Sequence, residues 1–170
     1  MSGYGAIEKL KPEHDLSGFD GRRDELNHFL QCHALQNQKA NSAQTYVASR
    51  AGVVLGYYSL TVGSVGHADV IERVTKTMPY YPIPVLILTR LVVHKDWRGR
   101  GLGAGLLKDA LIRTVRAADL LGVRALLVQA KDDHAWTYYE RYNFEPSLTD
   151  PYHLCLLVKD IVRRLREAGS

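Results

Sequence analysis

Apolar residues along this chain follow two spacings in turn, and the alternation sketches an architecture. Leu26, Phe29, Leu30, His33 and Ala34 recur at steps of three and four, as one face of a helix requires. Asp20 stands as its expected N-cap, so a first helix is predicted up to about Ala40. "TYVAS" and "VVLGYYSLTVGSV" then read as two strands joined by the Ala51-Gly52 turn of a hairpin. "IPVLILTRLVV" is almost wholly apolar, the pattern of a strand buried on both faces. A glycine-rich loop leads from it into a helix from about Gly103 to Leu121, with Leu107, Ala110, Leu111 and Thr114 on one side and Gly122 as its stop. "VRALLVQAK" predicts a further buried strand, "DDHAWTYYERY" a short helix stopped at Asn143, and "HLCLLVKDI" a last strand before a basic terminal helix. This order describes one α/β domain over residues 1–170, with a mixed sheet flanked by helices.

Composition narrows the picture only in places. At 170 residues, with 46% hydrophobic and 24% charged, the chain can bury one sizeable core and leaves no room for a second full domain. No apolar run approaches the length of about 18 residues that a membrane span needs, and the expectation is a soluble, cytoplasmic protein. Cys32 and Cys155 show neither metal-ligand nor redox spacing and read as reduced core cysteines; no metal is expected. A net charge of +4 and a pI near 9.1 favour anionic partners such as nucleotides or RNA.

Candidate chemistry concentrates in "VVHKDWRGRGLGAGLL", Val92 to Leu107. A strand that runs through a glycine loop into a helix points unpaired N–H groups and the positive helix end at one spot, which suits a phosphate. Gly99, Gly101 and Gly103 leave the backbone bare, while Arg98 and Arg100 add charged donors, so a diphosphate is the natural ligand. A Walker loop is excluded because no Gly-Lys-Ser/Thr closes the turn. The dinucleotide fingerprint matches formally at Gly99, Gly101 and Ala104, yet it wants an acidic residue about 20 positions on, and position 121 is leucine. The acetyl-coenzyme A pattern, Arg or Gln, two residues, Gly, one residue, Gly or Ala, fits from Arg98 to Gly103 throughout. A surface turn is the bland alternative.

With these residues in place, the chain resembles the GNAT superfamily of N-acetyltransferases, whose coenzyme A segment "LTRLVVHKDWRGRGLGAGLLKDAL" looks like. "FDGRRDELNHFLQCHALQNQKANSAQTYVA", "GYYSL", "YPIPVLILTRLVV" and "AWTYYERYNFEP", with the Tyr80 to Pro84 "YYPIP" lead, are similar in order to the acetyltransferase toxins of bacterial toxin-antitoxin pairs. Tyr138 and Asn143 depart from that pattern, which usually has Phe and Gly there. The resemblance implies an acyl-CoA N-acyltransferase fold with a mixed, splayed sheet. Acetyl-CoA would enter between the strand ending at Val93 and the strand Val123 to Ala130, touching Leu91, Val92, Val93, Arg98, Gly99, Arg100, Gly101, Leu102, Gly103 and Ala104. It further implies aminoacyl-tRNA as substrate, a homodimer, a ribbon-helix-helix antitoxin and operator DNA met only through the antitoxin complex.

Acetyl transfer to an amine needs a neutral nucleophile, an oxyanion donor and a proton for the departing thiolate. An α-amino group with a pKa of about 7.7 to 8.0, lowered further in an ester, supplies the first without a strong base. A backbone N–H at Val93 is the oxyanion candidate, and Tyr139, matching the family's catalytic tyrosine, is the acid, with an unshifted pKa near 10 expected. Ala135, Tyr138, Tyr139 and Tyr142 also fit a plain apolar helix face. His94 and His134 lie nearby without an assigned role, and Arg90 is either a substrate contact or half of a structural ion pair. Between Arg90 and Arg124 eight Arg and Lys face three Asp and Glu, and Arg163, Arg164 and Arg166 follow, which describes a tRNA groove or a solvated surface. An ordinary GNAT enzyme for small or protein amines, and a non-catalytic acetyl-CoA sensor or nucleic-acid-binding module, are the alternatives.

Overall fold

The computed structural model describes residues 3–66 and 82–169. Tyr80 and Tyr81 of the "YYPIP" lead lie outside the described residues. Chain contacts separate two compact units, one of Met1–Thr61 with Thr89–Ala110, the other of Val62–Leu88 with Leu111–Ser170. The hydrogen-bonded strand order is β1-β2-β3-β4-β5-β7-β6, over β1 (Glu8–Lys9), β2 (Gln44–Arg50), β3 (Val53–Val65), β4 (Ile83–Val93), β5 (Ala125–Gln129), β6 (Glu145–Pro146) and β7 (His153–Leu157).

In the first unit β1 and β3 flank β2 antiparallel, and the β2–β3 turn is made by Ala51 and Gly52, both with positive φ, as the hairpin required. The segment from α1 (Asp24–His28) to α2 (Ala34–Lys39) covers this part of the sheet through Phe29, Leu30 and Ala34, which join Leu10, Phe19, Val47, Val54, Tyr57 and Val92 in one core. The expected single helix is instead broken. Phe29–His33 forms a π-turn, with the Ala34 N–H reaching back to the Phe29 carbonyl. Asp20 caps nothing: the N-cap is Arg23, without a side-chain bond, and the Asp20 carboxylate accepts from the Arg22 N–H and the Asn27 amide. The wide turn rotates Cys32 and His33 outward, so Cys32 is exposed, contrary to its reading as a core cysteine.

In the second unit β4 pairs parallel with β5 from Val85↔Ala125 to Leu88↔Val128, while β5–β7 and β6–β7 are antiparallel, so the sheet is mixed as expected. The β5 register stops at Leu88, whereas β4 continues to Val93. Burial on both faces holds only for the first half of β4; Thr89 is exposed and Arg90 half-buried. Helix α3 (Leu102–Leu121) begins in the first unit and ends in the second at Gly122, φ +76°. Helix α4 (Asp133–Arg141) follows β5. The last strand ends at Leu157 rather than running through "VKDI", because Val158 opens α5 (Val158–Ala168), whose Ile161 returns to the core. Cys155 is buried on β7 as expected.

Candidate active site

The glycine loop is held by its neighbours in the first unit. β4 ends at Val93, and the His94 N–H bonds the Leu55 carbonyl at 2.8 Å before a short 3-10 turn over Lys95–Trp97. Arg98 is extended, and Gly99 and Gly101 then take φ of +76° and +83°. A Cβ at either glycine would meet no atom within 4 Å, so the left-handed backbone, and not crowding, requires glycine there. The open space above Gly99 and Gly101 is what a diphosphate needs in order to reach the N–H groups at the start of α3.

The helix start is anchored from below. Leu102 and Leu106 are buried over Gly56, where an added Cβ would lie 3.2 and 3.0 Å from their methyl carbons. Gly103 is half-buried and Ala104 exposed on the first turn, while Leu91, Val92 and Val93 lead up to the loop with only Val92 fully buried. Arg98 and Arg100 are both exposed beside the glycines, but they are held differently. The Arg98 Nη2 donates to the Gly21 carbonyl at 2.7 Å, and the Arg100 guanidinium stacks on Trp97, 4.6 Å from the ring centroid.

That bond exposes a supporting segment that sequence reasoning missed. Gly21 has no room for a side chain, since a Cβ would come within 2.4 Å of Val92, and its N–H bonds the Asn27 side chain at 2.8 Å. The Asp20 carbonyl accepts from the Lys95 N–H at 2.9 Å, and the Asp20 carboxylate pairs with Lys95 Nζ at 3.2 Å. The Asp20 pKa is held down by the Arg22 N–H first and by Lys95 next. His94 belongs to the same brace. Its Nδ1 accepts from the Asp96 N–H at 3.0 Å and its Nε2 lies 3.2 Å from the Gly18 carbonyl, so both ring nitrogens are engaged with backbone and neither is placed for a general base.

Among the described residues Arg90 forms no ion pair with a carboxylate. Its guanidinium lies 3.6 Å from the centroid of the Phe29 ring, on the same side of β4 as Val92. Of the two alternatives for it, a substrate contact or half of a structural ion pair, the second finds no carboxylate among the described residues, and the Phe29 ring supports the guanidinium instead.

Tyr139 belongs to the second unit. Asp132 caps α4, its carboxylate accepting from the Ala135 N–H at 2.8 Å, and Asn143 closes the helix with φ +68°. The Tyr139 ring sits between Tyr138, 5.3 Å away, and Phe144, 5.5 Å away, both edge-on. Desolvation in this aromatic nest pushes its phenol up to about 12, which corrects the unshifted value expected from sequence. Burial, with Tyr142 adding to it, raises Tyr138 as well. Tyr139 therefore keeps its proton throughout the neutral range, as an acid must. His134 is exposed on the first turn of α4.

The first unit thus holds a glycine loop open at the start of a helix, and the second holds a half-buried tyrosine that keeps its proton; an acyl-CoA-dependent transferase needs a diphosphate cradle and a proton donor. The model of the acetyltransferase (GNAT) domain matches residues 41–146, and the chain belongs to that family. Among its relatives, a tRNA-acetylating toxin of Mycobacterium tuberculosis (strain ATCC 25618 / H37Rv) is 44% identical over 94% of this chain and 96% of its own length. The structure of AtaT complexed with acetyl-methionyl-tRNAfMet superposes with a TM-score of 0.88 at 28% identity, covering 94% of this chain and 98% of that one. A mutant AtaT toxin bound to the C-terminus of the antitoxin AtaR and acetyl-CoA gives a TM-score of 0.79 at 28% identity, covering 92% and 94%. The expected GNAT fold and acetyltransferase class are thus borne out.

Proposed function

We propose that this chain is a single-domain toxin that transfers acetyl from acetyl-CoA to the α-amino group of an aminoacyl-tRNA, and so blocks translation. The observation that carries the reading is its 44% identity, over nearly its whole length, to a tRNA-acetylating toxin. The open Gly99–Gly101 cradle supports it from the side of the cosubstrate.

In this reading the loop from Arg98 to Ala104 binds the diphosphate of acetyl-CoA, and Leu91 to Val93 line the pantetheine arm. The Val93 N–H, on the part of β4 beyond the β5 register, donates to the thioester oxygen. The neutral amine nitrogen attacks the carbonyl carbon, the C–S bond breaks, and Tyr139 gives its proton to the departing sulfur. The proton released by the amine goes to solvent, from which the phenolate is reprotonated. Arg90 contacts the acceptor. A homodimer, a ribbon-helix-helix antitoxin that covers the site, operator DNA bound only through that complex and a cytoplasmic location complete the proposal. Among the described residues no helix is long and apolar enough to cross a membrane.

The test is to mix the purified protein with labelled acetyl-CoA and total tRNA, aminoacylated or stripped. Label is expected in charged tRNA only, and its absence from charged tRNA while small or protein amines are acetylated would replace this function with that of an ordinary GNAT enzyme.

A further inference from the structure

The π-turn at Phe29–His33 interrupts a helix that its sequence would otherwise continue, and the structure holds it open with a dedicated bond. The Phe29 N–H is shared between the Glu25 and Leu26 carbonyls, and the Leu26 carbonyl also accepts the Tyr57 hydroxyl at 2.8 Å. Tyr57 stacks on Phe29 with ring centroids 6.3 Å apart and planes 23° apart. Both rings are buried, and only the outer face of Phe29 is left to Arg90, at 3.6 Å. Tyr57 thus pins the turn, the turn presents Phe29, and Phe29 carries Arg90.

A guanidinium held over a ring by its central carbon keeps its N–H donors for other partners, and such a fork of donors meets a phosphate with two parallel bonds. Among the described residues no carboxylate pairs with Arg90; its Nη1 lies 3.5 Å from the Thr89 hydroxyl, and its charge acts on the Tyr57 phenol. Arg90 lies three residues before Val93, about 10 Å along the strand. In an aminoacyl nucleotide, about eight bonds separate the α-amine from the 5′ phosphorus of the same nucleotide, at most about 10 Å when extended.

Taken with the charged-tRNA substrate proposed above, on which it rests, we infer that Arg90, seated on the Phe29 platform, binds the phosphate on the 5′ side of the terminal aminoacylated nucleotide. The site thereby favours a nucleic-acid ester over a free amine. Phe29 and Tyr57 are positioning residues.

The experiment compares kcat/KM for an aminoacylated CCA-end oligonucleotide with kcat/KM for the same amino acid esterified to adenosine, which lacks the phosphate. The wild type is expected to prefer the oligonucleotide, and Arg90→Met to lower that preference at least tenfold, through KM. Phe29→Leu, which keeps an apolar side chain but removes the ring, is expected to lower the preference in the same direction and by less. A preference unchanged in Arg90→Met, even if both rates fall together, would overturn the phosphate contact and leave the proposed function standing. Failure of the wild type to acetylate either compound would overturn the function and, with it, this contact.

Discussion

Tyr139 illustrates how a single residue's chemistry depends on its surroundings. In the proposed reaction its hydroxyl is the donor to the leaving thiolate, and Tyr139→Phe is expected to reduce turnover by about 10²- to 10⁴-fold while leaving acetyl-CoA affinity near that of the wild type. Single-turnover rates and cofactor titration separate the two. Because burial pushes the phenol up to about 12, the acid stays protonated as pH rises through the neutral and mildly basic range. A rate that falls with a midpoint near pH 8 would point to another acid. The same shift has a cost in stability. An unfolded tyrosine ionises near 10, so between about pH 10 and 12 the unfolded chain releases a proton that the folded chain retains, and folding weakens over that window. Thermal midpoints should therefore drop across it, less steeply in Tyr139→Phe. Arg98 and Arg100 divide differently from what adjacency in sequence suggests. Arg98 bonds the Gly21 carbonyl, whereas Arg100 rests on Trp97 at the surface. Arg100→Ala is expected to weaken acetyl-CoA binding with little change in stability, and Arg98→Ala to weaken both, as isothermal titration and urea denaturation would report.

At the scale of elements, the close approach of α3 to β3 determines where the loop sits. Gly56→Ala places a methyl 3.0 Å from Leu106 Cδ1, 3.2 Å from Leu102 Cδ2 and 3.2 Å from the Val92 carbonyl oxygen. The helix start must shift to accept it, and a loss of about 1–3 kcal/mol in chemical denaturation is expected, together with weaker cofactor binding. The stop of α4 behaves oppositely. Asn143 holds φ +68°, which asparagine tolerates and alanine does not. Asn143→Ala should destabilise by about 1 kcal/mol, while Asn143→Gly stays within about 0.5 kcal/mol of the wild type, since glycine relieves the strain but loses more entropy on folding. Hairpin, β4 and α3 were legible because their periodicity and turn residues agree with the final packing. The break at Phe29 was not, since an i to i+5 turn leaves the apolar residues of Leu26 to Ala34 at spacings that still resemble a regular helix. Beside it, Tyr57, a residue of another element, bonds the Leu26 carbonyl.

For the molecule as a whole, charge sets how the reaction responds to its medium. A chain of net charge +4, with a basic excess from Arg90 to Arg124, should bind tRNA by displacing counterions. Each phosphate it neutralises contributes a slope of about −0.7 to −0.9 to the dependence of log affinity on log salt. The KM for charged tRNA is expected to rise with salt on such a line, and Arg90→Met to flatten it by about one step, as initial rates over a salt series would show. The sequence by itself determined the local parts: the glycine pattern that opens α3, the tyrosine-bearing helix and the order of strands, all of which depend on residues close together in the chain. Only the tertiary structure decided how those parts are held. It bound Arg98 to Gly21, engaged both nitrogens of His94, raised Tyr139 by desolvation and set Arg90 on Phe29. Each of these joins residues distant in the chain or depends on how far the fold excludes water, and local spacing carries no record of either.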